Sequence, residues 1–370
     1  MSQVVDQLAE LTAFRDRDML DTTLAAALRD LLRPQQVAIH RCVGDDTDKR
    51  WLTRARLALD DVAPASDPPW TELHQLPPLA DFPARLQALR QQDVVVLAGP
   101  PHTVVFPLTT DRDVVGVLEI ESAQPLDGNA HRLVGSILRI YRNFQALLDY
   151  SERDTLTGLL NRKTFDEAFY KLAVDIGVAP AGAAQGPVAA AAAAGVAGTA
   201  GVAGVADLAA AAERRTQPVA HPHYIGVIDI DHFKRVNDQH GHLIGDEVLL
   251  LLSRLMRSVF RFHDRLYRFG GEEFVVLMRC NSDLDAGLAF ERLRSSVKAY
   301  AFPQVGSISV SVGYTRLKPG DTPSTAFERA DRAVYWAKGH GRNQVCSHAE
   351  LMARGELVDG AARSGDVELF

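Results

Sequence analysis

Cysteine is scarce: Cys42, Cys280 and Cys346 are the only three in 370 residues. They lie too far apart for a disulfide scaffold or a thiolate metal site, and a reduced, cytoplasmic setting is expected. Excess positive charge is also lacking, since 40 Lys and Arg face 47 Asp and Glu for a net charge of −7. That balance argues against a general binder of nucleic acid or anionic membrane. Any phosphate chemistry must then use local cations or a metal ion. The opening segment MSQVVDQLAELTAFRDRD has no cationic head followed by an apolar core, so no secretion signal is expected. No strongly apolar run reaches the roughly 20 residues that a membrane span requires.

The nearest approach to such a run is 176–206, which has no charged residue but consists mostly of Ala, Gly and Val. Leu, Ile and Phe supply most of the insertion energy and are almost absent from it. Gly195, Gly198, Gly201 and Gly204 recur at every third position, but such short triplets without proline are not collagen. Residues 173–218 read as a low-complexity flexible insertion, partly helical around 207–215. The chain as a whole is 46% hydrophobic and 24% charged, a globular composition, and its length predicts two domains.

Periodicity places the elements. Residues 4–33 read as a helix, 36–41 as a strand, and 61–69 and 75–83 as loops rich in Pro and Asp. Strands are expected at 93–97, 103–108 and 113–121, which makes 1–125 an α+β module. A linker, 126–153, contains a helix over 131–150. Its apolar positions Leu133, Ile137, Ile140, Tyr141, Phe144, Leu147 and Leu148 alternate by three and four. That spacing suits a seam with another helix, and equally a surface helix packed on its own domain. The second domain, 154–346, should hold helices at 163–172, 246–260, 284–300 and 325–338. Its strands fall at 224–231, 265–269, 273–278 and 307–314. This alternation indicates a mixed α/β sandwich with a central β-sheet. Residues 347–370 read as a loose polar tail.

The chemistry gathers in the second domain. In the apolar strand YIGVIDID, Asp229 and Asp231 point the same way. Acids at the mouth of a buried strand suit a hard cation, with a cap or salt-bridge role as the alternative. The run Gly270-Gly271-Glu272-Glu273 sets two more carboxylates beside a tight turn, where glycine reaches positive φ without strain. Lys234, Lys338 and Arg342 supply cations, and metal-binding acids with cations suit a polyphosphate. Asn237 and Asp246 could read guanine, the carboxylate accepting from its N1–H and N2–H. Asp246 could equally be a helix cap.

Four segments, DTLTGLLNRK (154–163), VIDIDHFKRVNDQHGHLIGDEVL (227–249), RFGGEEF (268–274) and AKGHGRN (337–343), resemble the GGDEF family of diguanylate cyclases in kind and order. The resemblance implies a fold like the nucleotide cyclase and polymerase palm domains. It also implies condensation of two GTP into cyclic di-GMP and pyrophosphate by a homodimer. By motif position, Asp229, Glu272 and the carbonyl of Ile230 resemble the ligands of Mg2+, with Mn2+ as a substitute. Glu272 also resembles the proton acceptor from the 3′-hydroxyl, and Glu273 beside it is not separable by spacing. Asn237 and Asp246 resemble the guanine readers, His242 a nearby contact, and Lys234, Lys338 and Arg342 the triphosphate contacts. Arg261 and Asp264 in RFHD, with Arg292, resemble a site where cyclic di-GMP inhibits. The third letter of the GGEEF signature is Glu where the family name has Asp, and both forms function in the family. The long insertion is the departure from the family pattern.

Residues 1–125 resemble a GAF domain through VVFPLTTDRDVVGVLEIES (104–122), which implies a sensory or dimerisation module. The expected whole is thus a GAF-like domain, a signalling helix and a GGDEF domain, with GTP and cyclic di-GMP as ligands, no nucleic acid and no membrane span. A catalytically dead receptor for GTP or cyclic di-GMP is the competing function. A third is an unrelated role in which the GAF-like part dominates and the cyclase is silent without its signal.

Overall fold

The computed structural model describes residues 9, 11–12, 17–45, 47–68, 70–110, 114–175 and 221–358. The insertion beyond Asp175, with its expected helical patch at 207–215, and the end of the tail lie outside these residues. Two compact units form, Met1–Thr155 with Arg261–His263, and Leu156–Phe260 with Asp264–Phe370. Among the described residues, no helix is long and apolar enough to cross a membrane.

In the first unit, Leu20, Leu24 and Leu28 recur every four residues, which puts one apolar stripe on α1 (Arg17–Leu32). Next come β1 (Gln36–Gly44) and β2 (Lys49–Ala58), then α2 (Pro83–Gln91), β3 (Val95–Leu97), β4 (His102–Thr109) and β5 (Val114–Ser122). The strands form a five-stranded antiparallel sheet in the order β2-β1-β5-β4-β3. Alternation sends Val37, Ile39, Val104, Phe106, Leu118 and Ile120 to one face, where α1 packs with α3 (Gly128–Glu152). The opposite face buries Trp51, Val105 and Val117 with Ala88 of α2.

Helix α3 starts where Asp127 caps it by accepting the Ala130 N–H at 2.7 Å. Its inward stripe is Val134, Ile137, Tyr141, Gln145 and Leu148. Of the expected seam, Leu133, Ile140 and Phe144 are partly buried against that same core, while Leu147 is 66% exposed. The packing is therefore that of a helix seated on its own domain. A buried polar tie reinforces it: Arg41 of β1 donates to Asp21 of α1 at 2.7 Å, and the Tyr141 hydroxyl donates to Asp21 as well.

The second unit runs β6 (Leu160–Asn161), α4 (Arg162–Asp175), β7 (His223–Ile230), α5 (Phe233–His240), α6 (His242–Val259), β8 (Arg265–Gly270) and β9 (Glu273–Arg279). It continues with α7 (Asp283–Ala299), β10 (Val310–Arg316), α8 (Pro323–Gly339), β11 (Val345–Ser347) and α9 (His348–Ala353). The six-stranded sheet has the order β11-β10-β7-β9-β8-β6, with every residue of β7 buried. Tyr224, Ile228 and Ile230 of β7 face the core built with α6 and α7, through Leu252, Met256, Phe290 and Leu293. The intervening residues, Asp229 among them, face the other side, where α8 lies against β7 and β10. The loose tail expected after Ser347 is corrected over 348–353. There Ser347 caps α9 by accepting the Glu350 N–H, and His348 and Leu351 are buried.

Candidate functional site

The site is built at the end of β7. Antiparallel pairing sets Asp229 opposite Glu273 of β9 and Ser311 of β10. Alternation turns Asp229 toward α8, and Lys338 in the last turn of that helix meets it, Nζ to Oδ2 at 2.7 Å. Helix α8 comes this close because Ala326, Ala330, Ala333 and Ala337 line its buried face. Below them lies Gly313 of β10, where a Cβ would stand 2.2 Å from the Ala330 carbonyl oxygen.

The β8–β9 turn brings the second carboxylate. Gly270 and Gly271 take φ of 145° and 49°, and Glu272 follows at the tip. The Arg268 guanidinium closes the turn by donating to the Gly271 carbonyl at 2.9 Å. Phe269 anchors it from below, stacked on Phe327 of α8 at 5.2 Å and edge-on to Phe165 of α4 at 5.0 Å. The Arg162 guanidinium lies over the Phe269 ring at 5.5 Å.

Asp229 and Glu272 thus fall within electrostatic reach of each other. Burial first, then the charge of Asp229, pushes the Glu272 carboxyl up to about 7, with Lys338 opposing. Burial raises Asp229 and Glu273 as well; Asp331 of α8 adds to both, and Lys338 again opposes. Carboxylates crowded this way favour a bound cation. A specific vacancy in the hydrogen-bonding fits one: Asp229 Oδ1 is buried and has no partner, while Oδ2 takes Lys338. Among the described residues, no group of three or more His, Cys, Asp and Glu side chains could hold a metal. Asp229 and Glu272 are the carboxylates that could hold such a cation, whose hard character suits oxygen donors.

Asp231 does not join this set, against the expectation that both strand-end acids face a cation. Its oxygens are already taken: Oδ1 accepts from the Ser311 hydroxyl at 2.7 Å, and Oδ2 from the Ser309 hydroxyl at 2.6 Å and the Asn343 N–H at 3.0 Å. A carboxylate saturated by three donors is a structural tie.

Asn237 and Asp246, the residues expected to read guanine, lie on α5 and α6. Asn237 on α5 lies so close to Gly245 of α6 that a Cβ there would stand 1.9 Å from Asn237 Oδ1. Asp246 is the next residue and is exposed, as are His242 at the start of α6 and Lys234 on α5. The helix-cap alternative for Asp246 fails, because α6 begins at His242, four residues earlier. Arg342 is exposed in the loop after α8, at φ 58°. Arg261 and Asp264 fall in the turn between α6 and β8. Arg292 on α7 is exposed and donates to the Val259 carbonyl at 3.1 Å.

Residues 206–344 match the family described as diguanylate cyclase, GGDEF domain. The chain carries a GGDEF domain. It is 45% identical over 147 residues to the diguanylate cyclase DgcP of Pseudomonas aeruginosa, covering 37% of this chain and 22% of that protein. It is 39% identical over 124 residues to the diguanylate cyclase DgcZ of Escherichia coli K12, covering 33% and 42%. With the response regulator PleD of Caulobacter vibrioides it shares 41% over 129 residues, covering 33% and 28%. The chain thus spans 22% to 42% of the length of these curated relatives. Among solved structures, the active GGEEF domain of a diguanylate cyclase from Vibrio cholerae is 37% identical over 37% of this chain and 90% of that one, with a TM-score of 0.33.

Several residues of the GGDEF domain's site escaped sequence reasoning. Gly245 and Arg162 sit inside the motif runs 227–249 and 154–163, which is their local signal, whereas Asp331 acts on Asp229 and Glu273, remote in sequence, and left none.

Proposed function

We propose that this protein is a diguanylate cyclase, condensing two GTP into cyclic di-GMP with release of two pyrophosphates. The observation that carries the reading is Asp229, one oxygen held by Lys338 and the other buried without a partner, beside a Glu272 carboxyl raised by burial and by that same aspartate. A divalent ion, Mg2+ or Mn2+, held by Asp229, Glu272 and the Ile230 carbonyl would neutralise charge developing on the phosphates.

The chain's own groups do the rest. Asp246 accepts from guanine N1–H and N2–H, with Asn237 on the same base edge and His242 nearby. Lys338, Arg342 and Lys234 neutralise the triphosphate. Glu272, with Glu273 as its neighbour, accepts the proton of the 3′-hydroxyl. The 3′-oxygen then bonds to the α-phosphorus of the GTP held by a second copy, and the bond from that phosphorus to the bridging oxygen breaks. Pyrophosphate leaves, and the reciprocal attack closes the ring. One domain holds one GTP, so the reaction requires a homodimer.

The first unit fits a GAF-like regulatory domain in its antiparallel sheet flanked by helices, with α3 as the connecting helix. Arg261, Asp264 and Arg292 are assigned to feedback inhibition by cyclic di-GMP, where arginine forks suit phosphate. The reading places the enzyme in the cytoplasm, with its substrate.

Incubating the purified protein with GTP and Mg2+ tests this. The expected result is cyclic di-GMP and pyrophosphate in a ratio of about 1:2, abolished by a chelator. Glu272→Ala is expected to lower turnover by about 100-fold or more with the fold intact. No product, together with tight cyclic di-GMP binding, would make the protein a receptor instead.

A further inference from the structure

The loop that follows α8 has an unusual backbone. Gly341, Arg342 and Asn343 all lie at positive φ, 102°, 58° and 46°. Two successive non-glycine residues in the left-handed region persist only where their surroundings hold them, and such strain gathers at functional sites. The holding contacts come from two directions. The Asn343 N–H donates to Asp231 Oδ2 at 3.0 Å, and Arg294 Nη1 of α7 donates to Asn343 Oδ1 at 2.8 Å. Arg294 is itself fixed by a fork to Glu291, with Nε to Oε2 at 2.9 Å. Asp231 is fixed by Ser309 and Ser311. Within the loop, the Arg342 N–H returns to the Ala337 carbonyl at 3.0 Å.

Asp231 lies two residues beyond Asp229, and Asn343 directly follows Arg342. One brace therefore ties the strand end that carries the cation-binding carboxylate to the loop that carries a triphosphate cation. We propose that Asp231, Asn343 and Arg294 are positioning residues that hold Arg342 in register with Asp229 for the GTP triphosphate. This inference rests on the diguanylate cyclase reading and assigns a task to three side chains with no place in the chemistry itself. Arg294 acts from 49 positions away in sequence.

Binding alone tests it, without turnover, using the GTP analogue with an α,β-methylene bridge and Mg2+ in a calorimeter. Arg294→Ala removes the donor from a partly exposed helix position. Asn343→Gly keeps the left-handed backbone accessible and removes only the acceptor. Each is expected to weaken binding about fivefold, the worth of one hydrogen bond. The double variant is expected to be no weaker than either single one, because both break the same contact. In an Arg342→Ala background, Arg294→Ala is expected to have no effect. Unchanged affinity in Arg294→Ala, or an equal loss with Arg342 already removed, would overturn the brace while leaving the cyclase reading standing. Wild-type protein that bound no analogue would overturn both. Arg294→Gln serves as the second variant if the alanine form does not fold, with the same expected loss.

Discussion

Gly245 carries no side chain because Asn237 occupies the space that one would need. A Cβ there would lie 1.9 Å from Asn237 Oδ1, the far end of a side chain that can swing away. Gly245→Ala is therefore expected to leave stability within about 1 kcal/mol of wild type, since alanine is also the better helix former. On the proposed reading of guanine, however, the displaced amide no longer meets the base. GTP affinity is expected to fall about tenfold with ATP affinity nearly unchanged, as befits one lost hydrogen bond to a specific base edge. Equal losses for both nucleotides would show that Asn237 does not read guanine. The sequence offers Asn237 and Asp246 as a candidate guanine pair, and the start of α6 at His242 removes the alternative of Asp246 as a helix cap. Asp229 and Glu272 were legible because strand alternation and a glycine turn are local rules. Asp231 misled for the opposite reason: the serines that saturate it stand 78 and 80 residues away, and no local pattern shows them.

At the scale of elements, α8 decides whether Lys338 reaches Asp229. Its alanine face rests on Gly313, where an added Cβ would meet the Ala330 carbonyl oxygen at 2.2 Å and the Val334 nitrogen at 2.4 Å. Both are backbone atoms, so the helix as a whole must move off the sheet. Gly313→Ala is expected to cost about 1–3 kcal/mol of stability, the usual range for overpacking, and to raise the GTP KM by lifting Lys338 from the site. Thermal unfolding and initial rates check the two halves. A destabilised protein with unchanged KM would mean that Lys338 does not depend on this packing. Elements with strong apolar periodicity, β7, β9, α7 and α8, were visible from sequence to within a few residues. Strand β2 was not, because KRWLTRARLA interleaves cations with its buried Trp51, Leu52, Ala55 and Leu57. Helix α5 was missed too: it is short and polar, and it begins after His232 in the left-handed region with no side-chain cap. Helix α2 sits among prolines, yet Pro83 opens it at a position where proline fits a helix start.

At the scale of the whole molecule, the proposed chemistry cannot be done by one copy. Each GGDEF domain offers one Asn237–Asp246 pair and one Asp229–Glu272 pair, so closing a ring of two nucleotides takes two intact domains facing each other. Mixing measures this directly. When wild type is allowed to exchange with an equal amount of Glu272→Gln protein, random pairing leaves about a quarter of the dimers fully intact. If both halves must act, cyclic di-GMP formation is expected to fall to about a quarter of the rate of the same total amount of wild type, against about half if each copy worked alone. Glu272→Gln suits the experiment because the turn is held by Gly270, Gly271, Arg268 and the Phe269 anchor, none of which uses the glutamate side chain. Rates near one half, in a sample where exchange has been verified by differently tagged copies, would remove the need for a partner and with it the reciprocal attack.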